Sequence, residues 1–299
     1  MIAAIIEDTL NSLNWLWRAL AWPAAGLVCL LLGLFVGFEL WTPAVVREFQ
    51  AALANSPNNT LIYAEGDVLV STVQGSEDRH WVPLAEISAH LQKAAVAIED
   101  RRFFAHKGLD PVRLAGAVWA DLRSMSYEQG GSTITQQLVK LSLLSPERTL
   151  QRKVRESFMA IALEREVPKR DILEAYLNRV YFGNGLYGVE KASEAYFNKS
   201  AADLTLNEAA LLAALVKKPE GYLLGADADA ASPYLPLAKL QPLMRRQRQV
   251  IETLRKIGWI SEEEFQASAT QPLRARRPRA DAGAAPYYVQ QVMKELKEL

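Results

Sequence analysis

From Ala19 to Phe38 the chain carries no charged residue, with Arg18 closing the run on one side and Glu39 on the other. At about 1.5 Å of rise per helical residue such a run has the length that crosses the hydrocarbon core of a bilayer. Trp15, Trp17 and Trp22 lie at one end and Trp41 at the other, where indole rings favour the membrane–water interface. A cleaved signal peptide would begin with basic residues and end in a small-residue cleavage site. This run instead follows Glu7 and Asp8 and ends in Gly37-Phe38-Glu39, which predicts a retained anchor over 18–40. Residues 1–17 would be cytoplasmic, since Arg18 is the only basic residue before the span, and the bulk of the chain would lie outside.

A chain of 299 residues that is 50% hydrophobic has room for one main domain beyond that anchor. Lys and Arg balance Asp and Glu at 34 each, so the overall charge points to no nucleic-acid partner, and any electrostatic role must be local. The single cysteine, Cys29, lies in the apolar run and has no intrachain partner. Within a juxtamembrane segment over 41–82, Leu61-Ile62-Tyr63 and Val68-Leu69-Val70 flank Glu65-Gly66-Asp67 and predict a small β-hairpin. From about 83 to 270 the pattern is helical, with start signals at Pro146 and Pro168 and capping boxes at Thr205/Glu208 and Ser261/Glu264. Residues 271–299 read as a Pro-, Ala- and Arg-rich linker followed by a short amphipathic helix carrying Val289, Val292, Met293, Leu296 and Leu299.

Four stretches carry residues suited to chemistry. The apolar run Ala94 to Ile98 leads straight into Glu99 and Asp100, followed by Phe103, His106 and Gly108. A carboxylate beside a dry helix is partly desolvated, as a general base or acid requires, which makes Glu99 a candidate; a solvated helix end fits the same residues. Gln129-Gly130-Gly131 then opens a run of hydroxyls and amides, Ser132, Thr133, Thr135, Gln136 and Gln137, closed by Lys140. That run suits sugar hydroxyls and an anion, or equally a capped helix start. Arg148, Arg152 and Arg155 fall near one helical face, with Lys153 and Glu156 as i, i+3 neighbours, an arrangement fit for phosphate groups or for a solvated basic face. Two carboxylates in such opposed environments, Glu99 and Glu156, could divide acid–base work. Lys169 to Asn178 has an apolar face of Ile172, Leu173 and Tyr176 and reads as scaffold.

In order and spacing these stretches resemble the peptidoglycan glycosyltransferase family, family 51, of class A penicillin-binding proteins and monofunctional transglycosylases. The resemblance rests on E-D-x-x-F-x-x-H-x-G (Glu99, Asp100, Phe103, His106, Gly108), G-x-S-T-I-T-Q-Q (Gly130 to Gln137), R-K-x-x-E (Arg152, Lys153, Glu156) and K-x-x-I-x-x-x-Y-L-N (Lys169, Ile172, Tyr176, Leu177, Asn178). It runs on through Tyr181-Phe182-Gly183, Gly188-Val189-Glu190, Ala195-Tyr196-Phe197 and Asn207 to Ala210. It implies a mainly α, lysozyme-like glycosyltransferase domain, with a small lobe over about Leu109 to Glu128 whose Leu114, Val118, Trp119 and Leu122 lie against lipid.

The resemblance also implies a reaction. The C4 hydroxyl of an acceptor lipid II attacks C1 of the donor chain's N-acetylmuramic acid, with inversion and release of undecaprenyl diphosphate. Glu99 would be the general base. Lys140, Arg148, Arg152 and Lys153 would hold the diphosphate, and Glu156 would orient those cations or a divalent metal, Mg or Mn. Asp100, Phe103, His106, Thr135 and Arg246 would join the substrate site, with Ser132, Gln136 and Gln137 lining the sugar cleft. The implied partners are lipid II, the growing glycan, membrane lipid, and a transpeptidase or other cell-wall synthesis protein, at the outer face of the bacterial cytoplasmic membrane.

Three features depart from the family. Leu141 stands where an asparagine is usual, and the fifth segment survives only as Arg246-x-x-x-Val250-Ile251. No Ser-x-x-Lys transpeptidase segment follows, although Ala285 to Val289 resembles the lead-in to one, so the expectation is either a fragment of a bifunctional enzyme or a form without crosslinking activity. Two rivals remain at this level: a glycan hydrolase of the same fold, with Glu99 as acid, and an idle membrane scaffold.

Overall fold

The computed structural model describes residues 2–54, 60–64, 68–73, 80–116, 131–144, 149–223, 234–238 and 240–277, with the backbone alone over 2–26, 28, 60–64, 68–73 and 220. Expectations for Arg148, residues 117–128, the 65–67 turn and the C-terminal helix lie outside those residues. In chain order the elements are α1 (Ile2–Ala54), β1 (Thr60–Ala64), β2 (Val68–Val73), α2 (Ala89–Glu99), α3 (Ile134–Leu143), α4 (Leu150–Glu166), α5 (Lys169–Arg179), α6 (Val189–Phe197), α7 (Leu206–Leu215), α8 (Pro219–Leu223), α9 (Gln241–Lys256) and α10 (Glu262–Thr270). The described chain is mainly helical. β1 and β2 pair antiparallel, with Leu61 opposite Thr72 and a register shift between Ile62 and Tyr63.

α1 is one helix of 53 residues, longer than the span read from the sequence, and it continues through Pro43 to Ala54. Its stretch from Cys29 is long and apolar enough to cross a membrane. Leu30, Leu31, Leu32, Leu34 and Phe35 are all exposed there, which fits a membrane anchor, since a core helix would cover them. Beyond Phe38 the helix changes role. Val45 and Phe49 are buried in the domain core, and the partly buried Trp41 packs against it too. Arg165 of α4 pairs with Glu39 at 2.6 Å and lies over the Phe38 ring, while Arg179 of α5 donates to the Ala52 carbonyl.

The centre of the domain is α7, a helix apolar on nearly every side, as an element enclosed by its neighbours must be. α2 packs on one side of it and α9 on another, and α3 lies between α4 and α5. Both expected capping boxes close, Thr205 with Glu208 and Ser261 with Glu264, and Thr133 with Gln136 forms a third at the start of α3. Each satisfies two helix-end donors that would otherwise be orphaned. The packed region runs past the boundary expected at 271: Ala275 is fully buried, and Arg276 N–H donates to the Tyr196 carbonyl. Extended backbone pairing of this kind has no hydrophobic period by which to find it.

Candidate active site

Glu99 is the last residue of α2, at the point where the buried run Ala94 to Ala97 ends. Its carboxylate is held from two sides. Gln137 Nε2 on α3 donates to Oε2 at 3.1 Å, and Arg246 Nη2 on α9 meets Oε1 at 3.3 Å. The Glu99 side chain nonetheless keeps 13% of its surface open to solvent. Arg113 donates to the Glu99 carbonyl, so the backbone is fixed as well. This is a carboxylate gripped by an amide and a guanidinium and still open to solvent.

The residues that follow Glu99 turn inward. Asp100 is fully buried, and its Oδ2 accepts from His106 Nε2 at 2.9 Å and from the Ile134 N–H at 3.0 Å. Phe103 is buried with Lys169 Nζ 4.3 Å from its ring centre. Lys169 also pairs with Glu164 at 2.7 Å, and Glu164 accepts from Thr135 Oγ1 and from the Gly108 N–H. Asp100, Phe103, His106 and Thr135, expected at the substrate, are therefore parts of a buried brace that fastens the Glu99 loop to α3, α4 and α5. Gln136, expected to line the sugar cleft, is likewise engaged within the protein. Its Oε1 accepts from the Thr133 N–H and its Nε2 donates to Ser157 Oγ, because the capping box claims it.

On α4, Glu156 is buried and both its oxygens are occupied, Oε2 by Arg152 at 2.7 Å and Oε1 by Lys153. Lys153 Nζ also donates to Ser132 Oγ at 2.8 Å. Two cations on one carboxylate leave net positive charge at the start of α4, with the Lys153 side chain 42% exposed. A carboxylate spent on two cations does not fit a ligand for Mg or Mn, and among the described residues no group of three or more His, Cys, Asp or Glu could hold a metal. Lys140 is exposed in the last turn of α3. α3 joins the two halves of the site: Gln137 reaches Glu99, Gln136 reaches Ser157 beside Glu156, and Ser132, just before the helix, reaches Lys153. Behind Lys153 lies a mostly apolar cavity of about 280 Å³ lined by Leu109, Val154, Ser157, Phe158 and Ile161.

Sequence reasoning missed Glu164, and it read Lys169 and Tyr176 as scaffold. The first two build the brace, and the Tyr176 hydroxyl donates to Gln137 Oε1 at 3.2 Å. A buried carboxylate in the otherwise apolar Ile161-Ala162-Leu163-Glu164 turn was the available signal for Glu164.

The domain thus presents a solvent-open carboxylate and a separate pair of cations around one capped helix. The chain matches the Transglycosylase family over residues 65–253, well over half its length, and it belongs to that family. Among its relatives, penicillin-binding protein 2D of Bacillus subtilis (strain 168) is 37% identical over 260 residues, which cover 86% of this chain and 36% of that protein. Penicillin-binding protein 1A of Escherichia coli (strain K12) is 37% identical over 234 residues, 78% of this chain and 26% of that one. The crystal structure of penicillin-binding protein 1A from Haemophilus influenzae aligns at a TM-score of 0.43 with 24% identity, over 80% of this chain and 24% of that chain. The chain thus spans about a third or less of the length of these proteins.

Proposed function

We propose that this chain is a peptidoglycan glycosyltransferase that polymerises lipid II into β-1,4-linked glycan and releases undecaprenyl diphosphate. Membership of the Transglycosylase family supports the reaction class. The observation that carries the residue assignment is the Glu99 carboxylate, gripped by Gln137 and Arg246 yet open to solvent. As general base it takes the proton of the acceptor C4 hydroxyl while that oxygen attacks the donor anomeric carbon and inverts it. The leaving diphosphate carries the charge that develops, and Arg152 and Lys153, with Lys140 and Arg148, stabilise it. Glu156 holds Arg152 and Lys153 in place, a role its two ion pairs support.

The reaction needs a lipid-linked donor and a lipid-linked acceptor, and the apolar stretch of α1 supports a site at a membrane surface. We assign the domain to the outer face of the bacterial cytoplasmic membrane, with a transpeptidase or other cell-wall synthesis protein as partner. The test is Glu99→Gln in the purified chain supplied with labelled lipid II and, separately, with preformed glycan. Loss of general-base catalysis lowers polymerisation by roughly 10²–10⁴-fold with lipid II binding retained. Undiminished polymer would end the assignment of Glu99, and shortened preformed glycan with the unmodified chain would mean a hydrolase.

A further inference from the structure

Tyr176 sits on α5, which reads from the sequence as scaffold, and it is fully buried. Its hydroxyl nevertheless meets the site at one remove: it donates to Gln137 Oε1 at 3.2 Å, and the Nε2 of the same amide donates to Glu99 Oε2 at 3.1 Å. A primary amide has an acceptor end and a donor end on one flat group that can turn over. Against a carboxylate only one of the two settings is attractive, because the reversed amide sets its oxygen against Glu99 Oε2. With the amide set this way by the carboxylate, its oxygen faces Tyr176, and the hydroxyl donating there adds a second bond that holds the amide in that setting. Burial first, and then the charges of Glu99 and Asp100, push the Tyr176 hydroxyl well above the ordinary phenol range, so it remains a donor under all working conditions.

We propose that Tyr176 is a positioning residue for the base, acting through Gln137 to hold the amide that fixes Glu99. This rests on the reading of Glu99 as general base. The remaining contacts of Glu99 come from other directions: Arg246 of α9 on the second carboxylate oxygen, and Arg113 on the backbone carbonyl. Neither can replace a donor on Oε2. No proton passes along the pair, since the phenol keeps its own and the amide has none to release. The acceptor's O–H bond breaks, an O–H bond forms on Glu99, and Tyr176 and Gln137 set only where that carboxylate stands.

The experiment measures kcat and KM for lipid II polymerisation by Tyr176→Phe, Gln137→Leu, the double variant and Glu99→Gln. Tyr176→Phe is expected to lower kcat roughly tenfold with KM unchanged, as the loss of one hydrogen bond felt mainly in the transition state. Gln137→Leu is expected to lower kcat further, and the double variant to be no worse than Gln137→Leu, because Tyr176 acts only through that amide. Independent, multiplying losses, or a raised KM with kcat intact, would mean that Tyr176 serves packing alone and would overturn the proposal. If Tyr176→Phe does not fold, 3-fluorotyrosine at 176 keeps ring and hydroxyl with a changed donor strength and must alter kcat without altering KM. Activity in Glu99→Gln would remove the base and this proposal together, whereas an inactive Glu99→Gln beside a fully active Tyr176→Phe removes only the proposal.

Discussion

Gly108→Ala tests how the Glu99 loop is held against α4. Gly108 has φ +92°, and a Cβ added there would lie 2.7 Å from both Ile161 Cα and Ile161 N and 2.8 Å from the Ala160 carbonyl carbon. All three are backbone atoms of a packed helix, so no side chain can swing aside. The left-handed backbone adds about 1–2 kcal/mol for a residue with a Cβ, and forcing a methyl into filled space adds about 1–3 kcal/mol. The sum, on the order of 3 kcal/mol, lowers the folding equilibrium roughly a hundredfold. Gly185→Ala supplies the control, with φ +77° and nothing within 4 Å of the added carbon, so it carries the backbone term alone. Denaturant midpoints of the two variants, followed by helical circular dichroism in one detergent, separate the terms. Gly108→Ala should unfold well before Gly185→Ala and lose polymerisation with it, because the loop can no longer close on α4. Equal midpoints would refute the close-approach argument.

Two other perturbations read the same region. Asp100→Ala strands two buried donors, His106 Nε2–H and the Ile134 N–H. It should destabilise the domain by about 2–5 kcal/mol, and a thermal midpoint within a degree of the unmodified chain would count against the brace. At high pH, Tyr176 should weaken the fold. Its folded pKa lies above the unfolded 10.0, so its contribution is intact below pH 10 and is lost as pH rises from there toward the folded value. The stability of the unmodified chain relative to Tyr176→Phe should therefore fall by up to about 1.4 kcal/mol per pH unit above 10, and a pH-independent difference would contradict it.

What could be read from the residues alone was whatever repeats or sits at fixed spacing. The apolar run and the capping boxes rest on local pattern, and local pattern survives folding. Roles fared less evenly, because a motif lists neighbours in sequence without saying which way each side chain turns. Glu99 and Asp100 are adjacent, yet one ends accessible and the other fully enclosed, since the chain leaves α2 between them. Thr135, Gln136 and Gln137 are consecutive on α3, and a rotation of about 100° per residue sends them to Glu164, Ser157 and Glu99 in turn. Only the third of these meets the candidate base. The pairing of Arg246 with Glu99 spans 147 positions, and only the packing of α9 on α2 and α7 creates it.

The unbroken course of α1 has a mechanical consequence. Fifty-three residues make a rod of about 80 Å, fastened to the domain at Val45 and Phe49 and tied at Glu39 and Ala52. Pro23 and Pro43 each remove one backbone donor from that rod, and Pro43 lies within the gripped third, where Val45 and Phe49 brace the helix against the domain. A tilt imposed on the apolar end would therefore reach the Glu99 pocket through this braced segment, so the lie of the stem bears on the height and aim of the pocket.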